Sequence, residues 1–178
     1  MHTLTVPVRA DLTHYQAGAI VFQCFDDRFF HLFERLMEAL EKEDAEEAGV
    51  DQAVVYIDRV ITAGGAKDLV ADGTPEQVSL MGQIAKSVKL HHTHNIIAIT
   101  HEDCGAYGDE ATQGGDREKQ FLYHVARHRE IEAAILAKYP EFAGKIRHFY
   151  LSINGAIELD IAKEELTEEE ARGLSLFA

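Results

Sequence analysis

Residues 17–24 read Ala17-Gly18-Ala19-Ile20-Val21-Phe22-Gln23-Cys24, and residues 95–101 read Asn95-Ile96-Ile97-Ala98-Ile99-Thr100-His101. The runs Ala17 to Gln23 and Asn95 to Thr100 are short and nearly all apolar, the pattern of strands covered on both faces as in a parallel sheet. They hand the chain to Cys24 and His101. Each then passes at once into polar residues: Phe25-Asp26-Asp27-Arg28 after the first, Glu102-Asp103-Cys104-Gly105 after the second. The chain's 2 cysteines stand at these two ends. An open α/β sheet carries its chemistry at the carboxyl ends of its strands, so the same two stretches mark fold and site together.

Working outward, Phe29, Leu32, Phe33, Leu36, Met37 and Leu40 recur at helical spacing, and the acidic run Glu41 to Glu47 closes that helix as a solvated face. Gln52 to Ile61 reads as a second strand, ending in the glycine turn Thr62-Ala63-Gly64-Gly65-Ala66. Thr74-Pro75-Glu76-Gln77 combines an N-cap, a first-turn proline and a capping-box glutamine, and predicts a helix with an inward stripe of Val78, Met81, Ile84, Ala85 and Val88. Residues 105–116 read as a loop over the site. A long amphipathic helix is expected over 117–138 and a fourth strand over Ile146 to Ile153. Asn154-Gly155 before Ala156 to Ile161 is a two-residue hairpin signal, and Thr167-Glu168-Glu169-Glu170 opens a short terminal helix. The expected fold is α/β: a single domain over 1–178 with a mostly parallel central sheet of about four strands plus a C-terminal hairpin strand, and helices on both faces. Residues 1–16 are expected to form an extended or partly helical arm laid over the body or over a partner subunit.

The chain has 178 residues, 46% of them hydrophobic, enough for one core. With 17 Lys+Arg against 31 Asp+Glu the formal net charge is -14, which disfavours nucleic acid and anionic membrane as partners. No stretch reaches the ~18 apolar residues of a membrane span, and the N-terminus lacks a basic segment followed by a long apolar run. These features predict a cytoplasmic protein, where two cysteines serve as ligands or plain thiols rather than as a disulfide.

Cys24, His101 and Cys104 form a ligand set suited to Zn²⁺, and three protein ligands leave the fourth tetrahedral position open, as catalytic zinc sites do. Taken jointly, Cys24-x-Asp26-x-Arg28 and His101-x-x-Cys104-Gly105 resemble the paired signature of the β-class carbonic anhydrases, across residues 17–161 when the order of elements is included. That resemblance implies zinc on Cys24, His101 and Cys104, and an Asp26–Arg28 dyad that orients a hydroxide formed at the metal. It implies reversible hydration of carbon dioxide to bicarbonate, a homodimer or homotetramer, and adjacent Cys24 and His101 strands. Gly64, Gly65 and Gly105 would fall at the substrate pocket. The sequence departs from the family where Ile61-Thr62 replace Arg-Asn before the glycine turn, where Thr100 replaces the glycine before the ligand histidine, and at bulky Phe25. Hydrolysis of carbonyl sulfide or carbon disulfide on the same scaffold is an alternative, as is a catalytically silent zinc protein. A redox thiol protein is disfavoured, because no Cys-x-x-Cys spacing is present. Asp27 reads as a solvated or helix-start charge, Glu102 and Asp103 as facing solvent or a helix N-terminus, and Tyr107 as a candidate for the pocket. His91, His92, His94, His124 and His128 are expected at the surface, with proton shuttling as their other reading.

Overall fold

The computed structural model describes residues 16–48 and 56–162. Its strands are β1 (Ala19–Cys24), β2 (Ile57–Thr62), β3 (Asn95–His101), β4 (Ile146–Ser152) and β5 (Gly155–Glu158), joined in one sheet in the order β2-β1-β3-β4-β5. The first four run parallel, and β5 returns antiparallel to β4. The helices are α1 (Phe30–Ala48), α2 (Pro75–His91), the single turn α3 (Asp109–Thr112) and α4 (Arg117–Lys138). This is the expected α/β architecture, with β1 and β3 side by side. No helix among the described residues is long and apolar enough to cross a membrane.

The unbroken apolar runs make sense once both faces are covered. Successive strand residues point to opposite sides. Ile20, Phe22, Ile96 and Ala98 join one core with Leu80, Met81 and Ile84 of α2 and Ile131 and Ile135 of α4. Ala19, Val21, Ile97 and Ile99 join the other with Phe29, Phe33, Leu36, Met37 and Leu40. Burying each large apolar side chain contributes about 1.5–3 kcal/mol, so the sheet is held from both sides and its carboxyl edge is set firmly.

Several boundaries differ from the sequence reading. The second strand runs Ile57–Thr62 among the described residues, and the part of the prediction over 52–55 lies outside them. The arm over residues 1–15 and the terminal helix at Thr167 also lie outside the described residues. In α2, Val78 and Ala85 are exposed, while Leu80 and Ser87 take their place inside with Met81 and Ile84. The buried stripe is rotated because Ser87 finds partners indoors: its hydroxyl donates to Asp58 Oδ2 at 2.6 Å and meets Thr93 Oγ1. Residues 105–115 are a chain of short helical turns rather than an open loop, since Tyr107 and Ala111 pack against Cys104. The hairpin loop is Ile153-Asn154, one residue earlier than expected. Gly155 pairs with Ser152, whose hydroxyl accepts from Asn154 N–H and donates to Gly155 C=O, which draws the glycine into the ladder.

Candidate metal centre

The carboxyl ends of β1 and β3 deliver Cys24 and His101 to one edge of the sheet, and the turn after β3 returns Cys104 to them. One ligand atom from each residue lies within 4.8 Å of the others, and the two Sγ atoms are 3.9 Å apart. Tetrahedral zinc with sulfur at about 2.3 Å sets two thiolates about 3.8 Å apart, so the pair already has the required spacing. His101 and Cys104 are buried and Cys24 is half-buried. The imidazole of His101 is fixed by its Nδ1–H, which donates to the Glu102 carbonyl at 2.8 Å. That bond leaves the Nε2 lone pair inward, and Nε2 is buried with no hydrogen-bond partner among the described residues. A buried acceptor left unpaired beside two sulfurs is a ligand atom in need of a cation. The donor set fits zinc.

Each sulfur bears on the other's proton. Cys24 is drawn down to about 4, first by the hydrogen bond from Cys104, with His101 and the backbone N–H groups of Asp26 and Gly64 adding to it against desolvation. Cys104 is pushed up by Cys24 and by burial. A divalent cation would displace the thiol proton. The glycine turn after β2 supports this thiolate. Gly64 N–H donates to Cys24 Sγ at 3.3 Å, and the Gly64 carbonyl accepts from the buried Tyr107 hydroxyl at 3.2 Å. Gly65 brings the turn against the sheet. A Cβ there would sit 2.7 Å from the Ile99 carbonyl oxygen and 3.1 Å from Cys24 N, and its φ is +60°.

Asp26 caps the short 3₁₀ turn Asp27–Phe29 and is gripped by Arg28. The guanidinium donates from Nε at 3.0 and 3.1 Å and from its terminal nitrogen at 2.6 Å. Arg28 beside it, chiefly through these hydrogen bonds, holds the Asp26 carboxyl down to about 2. Arg28 also reaches Asp103 between the two later ligands, at 3.1 Å to Oδ2 and 3.2 Å to the carbonyl. One cation therefore binds both ligand loops. Asp103 itself is left-handed (φ 54°), and its N–H donates to Oε1 of buried Gln120 in α4 at 2.9 Å.

A cavity of about 200 Å³ opens beside the cluster on the α1 side, lined by Gln23, Cys24, Phe25, Asp26, Asp27, Phe29, Phe30, Phe33, Ile61, Ile99, His101 and Leu151. Phe29 packs on the His101 ring with centroids 4.5 Å apart. Gly64, Gly65 and Gly105 are not among the lining residues of this cavity. The first two stand behind the Cys24 sulfur, and Gly105 is exposed with open space at its Cα.

Other expectations are corrected. Glu102 is buried rather than solvent-facing: Arg117 grips both its oxygens, at 2.5 and 3.1 Å, and Ile153 N–H donates to it. His124 and His128 are fully buried, not at the surface. Thr100 and His148 supply partners to both nitrogens of His128, and three tyrosines enclose His124. His91 pairs with Asp58, whereas His92 and His94 are exposed as expected. Sequence reasoning missed Asp103, Gln120 and Gln23. Gln23 carried a legible signal: it is the sole polar residue inside an apolar strand run.

No family model matches the chain. An uncharacterized protein of Rickettsia conorii is 26% identical over 148 residues, covering 80% of this chain and 72% of the relative. Among solved structures, the chain is similar to a carbonic anhydrase of Streptococcus mutans (17% identity, 86% of this chain and 88% of that one, TM-score 0.49). It is also similar to β-carbonic anhydrase isoform I of Trichomonas vaginalis (13%, 85% and 86%, TM-score 0.45). A third similar structure is one of two tetrameric β-carbonic anhydrases of Sordaria macrospora (14%, 82% of each chain, TM-score 0.44).

Proposed function

We propose that this protein is a zinc enzyme that interconverts carbon dioxide and bicarbonate, with Cys24, His101 and Cys104 holding the metal. The observation that carries this reading is the buried, unpartnered His101 Nε2 beside two sulfurs 3.9 Å apart, at the edge of a small cavity walled largely by apolar side chains. Zinc bound there supplies the acidification of a water molecule that yields hydroxide near neutral pH. The chain's own residues do the rest. Asp26, kept ionised by Arg28, would accept a hydrogen bond from the attacking water or hydroxide and hold its lone pair toward carbon. Phe29, Phe33, Ile99 and Leu151 admit an uncharged gas without offering it a competing charge. The new C–O bond gives bicarbonate, and the proton of the attacking water passes to solvent.

Phe25 (67%), Phe30 (40%) and Ile61 (53%) are exposed at the cavity. This apolar rim supports a second copy as its cover, so we assign a homodimer or homotetramer as the working form.

Stopped-flow hydration of carbon dioxide with metal analysis of the same protein tests the reading. The purified chain should carry about one zinc and show zinc-dependent hydration, and His101→Ala should lose both, with activity falling at least ~10³-fold. A zinc-loaded protein inert even above about pH 9, where aqueous zinc itself ionises water, sinks it.

A further inference from the structure

One polar side chain on the cavity wall has no role in the site as described. Gln23 is 7% exposed, and its Oε1 is buried with no hydrogen-bond partner among the described residues. It follows Ala19 and Val21 on the α1 side of β1, the side on which the cavity lies, and it lines that cavity with Phe29, Phe33, Ile99, Leu151 and His101. Leaving a buried acceptor unpaired is unfavourable, and at a strand end packed by aromatics an apolar residue of the same length would fit without that cost. The unmet acceptor is satisfied when the occupant of the cavity brings a donor.

Resting on the carbon dioxide reading, we infer that Gln23 is a specificity-determining residue that accepts a hydrogen bond from the hydroxyl of bound bicarbonate. Carbon dioxide has no hydrogen to give; bicarbonate has one. The contact therefore appears only as the product side of the reaction forms, and it favours a hydroxyl-bearing oxyanion over an anion or gas that carries no donor. Asp26 and Asp27 are the carboxylates on the same wall; Asp26, with four hydrogen bonds from Arg28, is the group assigned above to the attacking oxygen, whereas Gln23 Oε1 has no partner among the described residues.

Gln23→Met keeps the length of the side chain and removes its hydrogen bonding. Calorimetric titration of the zinc-loaded proteins should show bicarbonate binding about tenfold weaker in the variant, while thiocyanate, an anion without a hydrogen, changes less than about twofold. Zinc content should be kept and the melting temperature should hold or rise, because an unpaired buried group is removed. Equal loss for both anions, unchanged bicarbonate affinity, or a fall in melting temperature overturns the proposal and leaves Gln23 a structural residue. If the methionine variant loses zinc, Gln23→Asn is read the same way, and loss of zinc in both also overturns it. Wild-type protein that binds bicarbonate but hydrates no carbon dioxide removes the enzymatic reading while the affinity ratio still decides this one.

Discussion

Two carboxylate–guanidinium pairs flank the cluster of sulfur and imidazole, and they share their chemistry and little else. Asp26 and Arg28 are two residues apart, with side chains 22% and 59% exposed; Glu102 and Arg117 are fifteen apart, at 7% and 28%. Both are two-pronged. An exposed pair contributes only about 0–1 kcal/mol to stability, because water serves either charge nearly as well. A buried pair is different: removing one partner strands the other in a poorly solvated place. Glu102 also takes the Ile153 N–H, so the inner pair ties the end of β3 to the β4–β5 hairpin and to the first turn of α4. On the function proposed above, the outer pair serves the reaction, while the inner one fixes the end of β3.

The contrast breaks first at Asp26→Asn. Carbon dioxide hydration should fall about 10²–10³-fold, the scale of losing one oriented hydrogen-bonding group, while the unfolding free energy moves by no more than ~1 kcal/mol. Stopped-flow rates and urea titration of the same preparation read both numbers, and a large stability loss with intact rate would invert the assignment. Glu102→Gln should do the reverse. It costs about 2–3 kcal/mol, less than a fully enclosed pair because Arg117 keeps some water, and it leaves the rate per bound zinc within about tenfold.

A smaller effect sharpens the comparison at a polar group with no counter-charge. His124 is buried among Tyr107, Tyr123 and Tyr150, and neither ring nitrogen has a partner among the described residues. Burial draws it down to about 3, whereas the unfolded chain takes the proton near 6.5. The unfolded state therefore binds more protons between those values. Its effect on stability is flat above about pH 6.5 and worsens as pH falls, by up to about 1.4 kcal/mol per pH unit. His124→Phe should raise the unfolding free energy by about 1 kcal/mol near neutrality and flatten this slope, measured by urea titration at about pH 7 and pH 5. An unchanged slope would mean that the folded protein takes that proton.

Much of this was legible in residue order. The runs Ala17 to Gln23 and Asn95 to Thr100 announced strands covered on both faces, and the Cys24, His101 and Cys104 pattern named the group that the fold draws within 4.8 Å. The pairing of Asp26 with Arg28 followed from their nearness in the chain. Partners far apart were not legible. For Glu102 solvent and a helix N-terminus stayed open, because nothing near it in sequence reveals Arg117 at the start of α4. His128 looked like a surface residue because its partners, Thr100 and His148, arrive on two different strands. The stripe of α2 was misphased for the same reason, since Ser87 is buried by virtue of Asp58 on β2. Apolar periodicity reports burial only where polar side chains have no distant partner to bring them inside.

Position 65 has almost no tolerance to change. With the Ile99 oxygen 2.7 Å from where even a methyl group would begin, the turn rides on the sheet with no spare room. Any larger residue lifts the whole turn, and with it the amide of Gly64 that steadies the Cys24 sulfur. A substitution that touches none of Cys24, His101 and Cys104 would therefore loosen the proposed metal site through a lever one residue long.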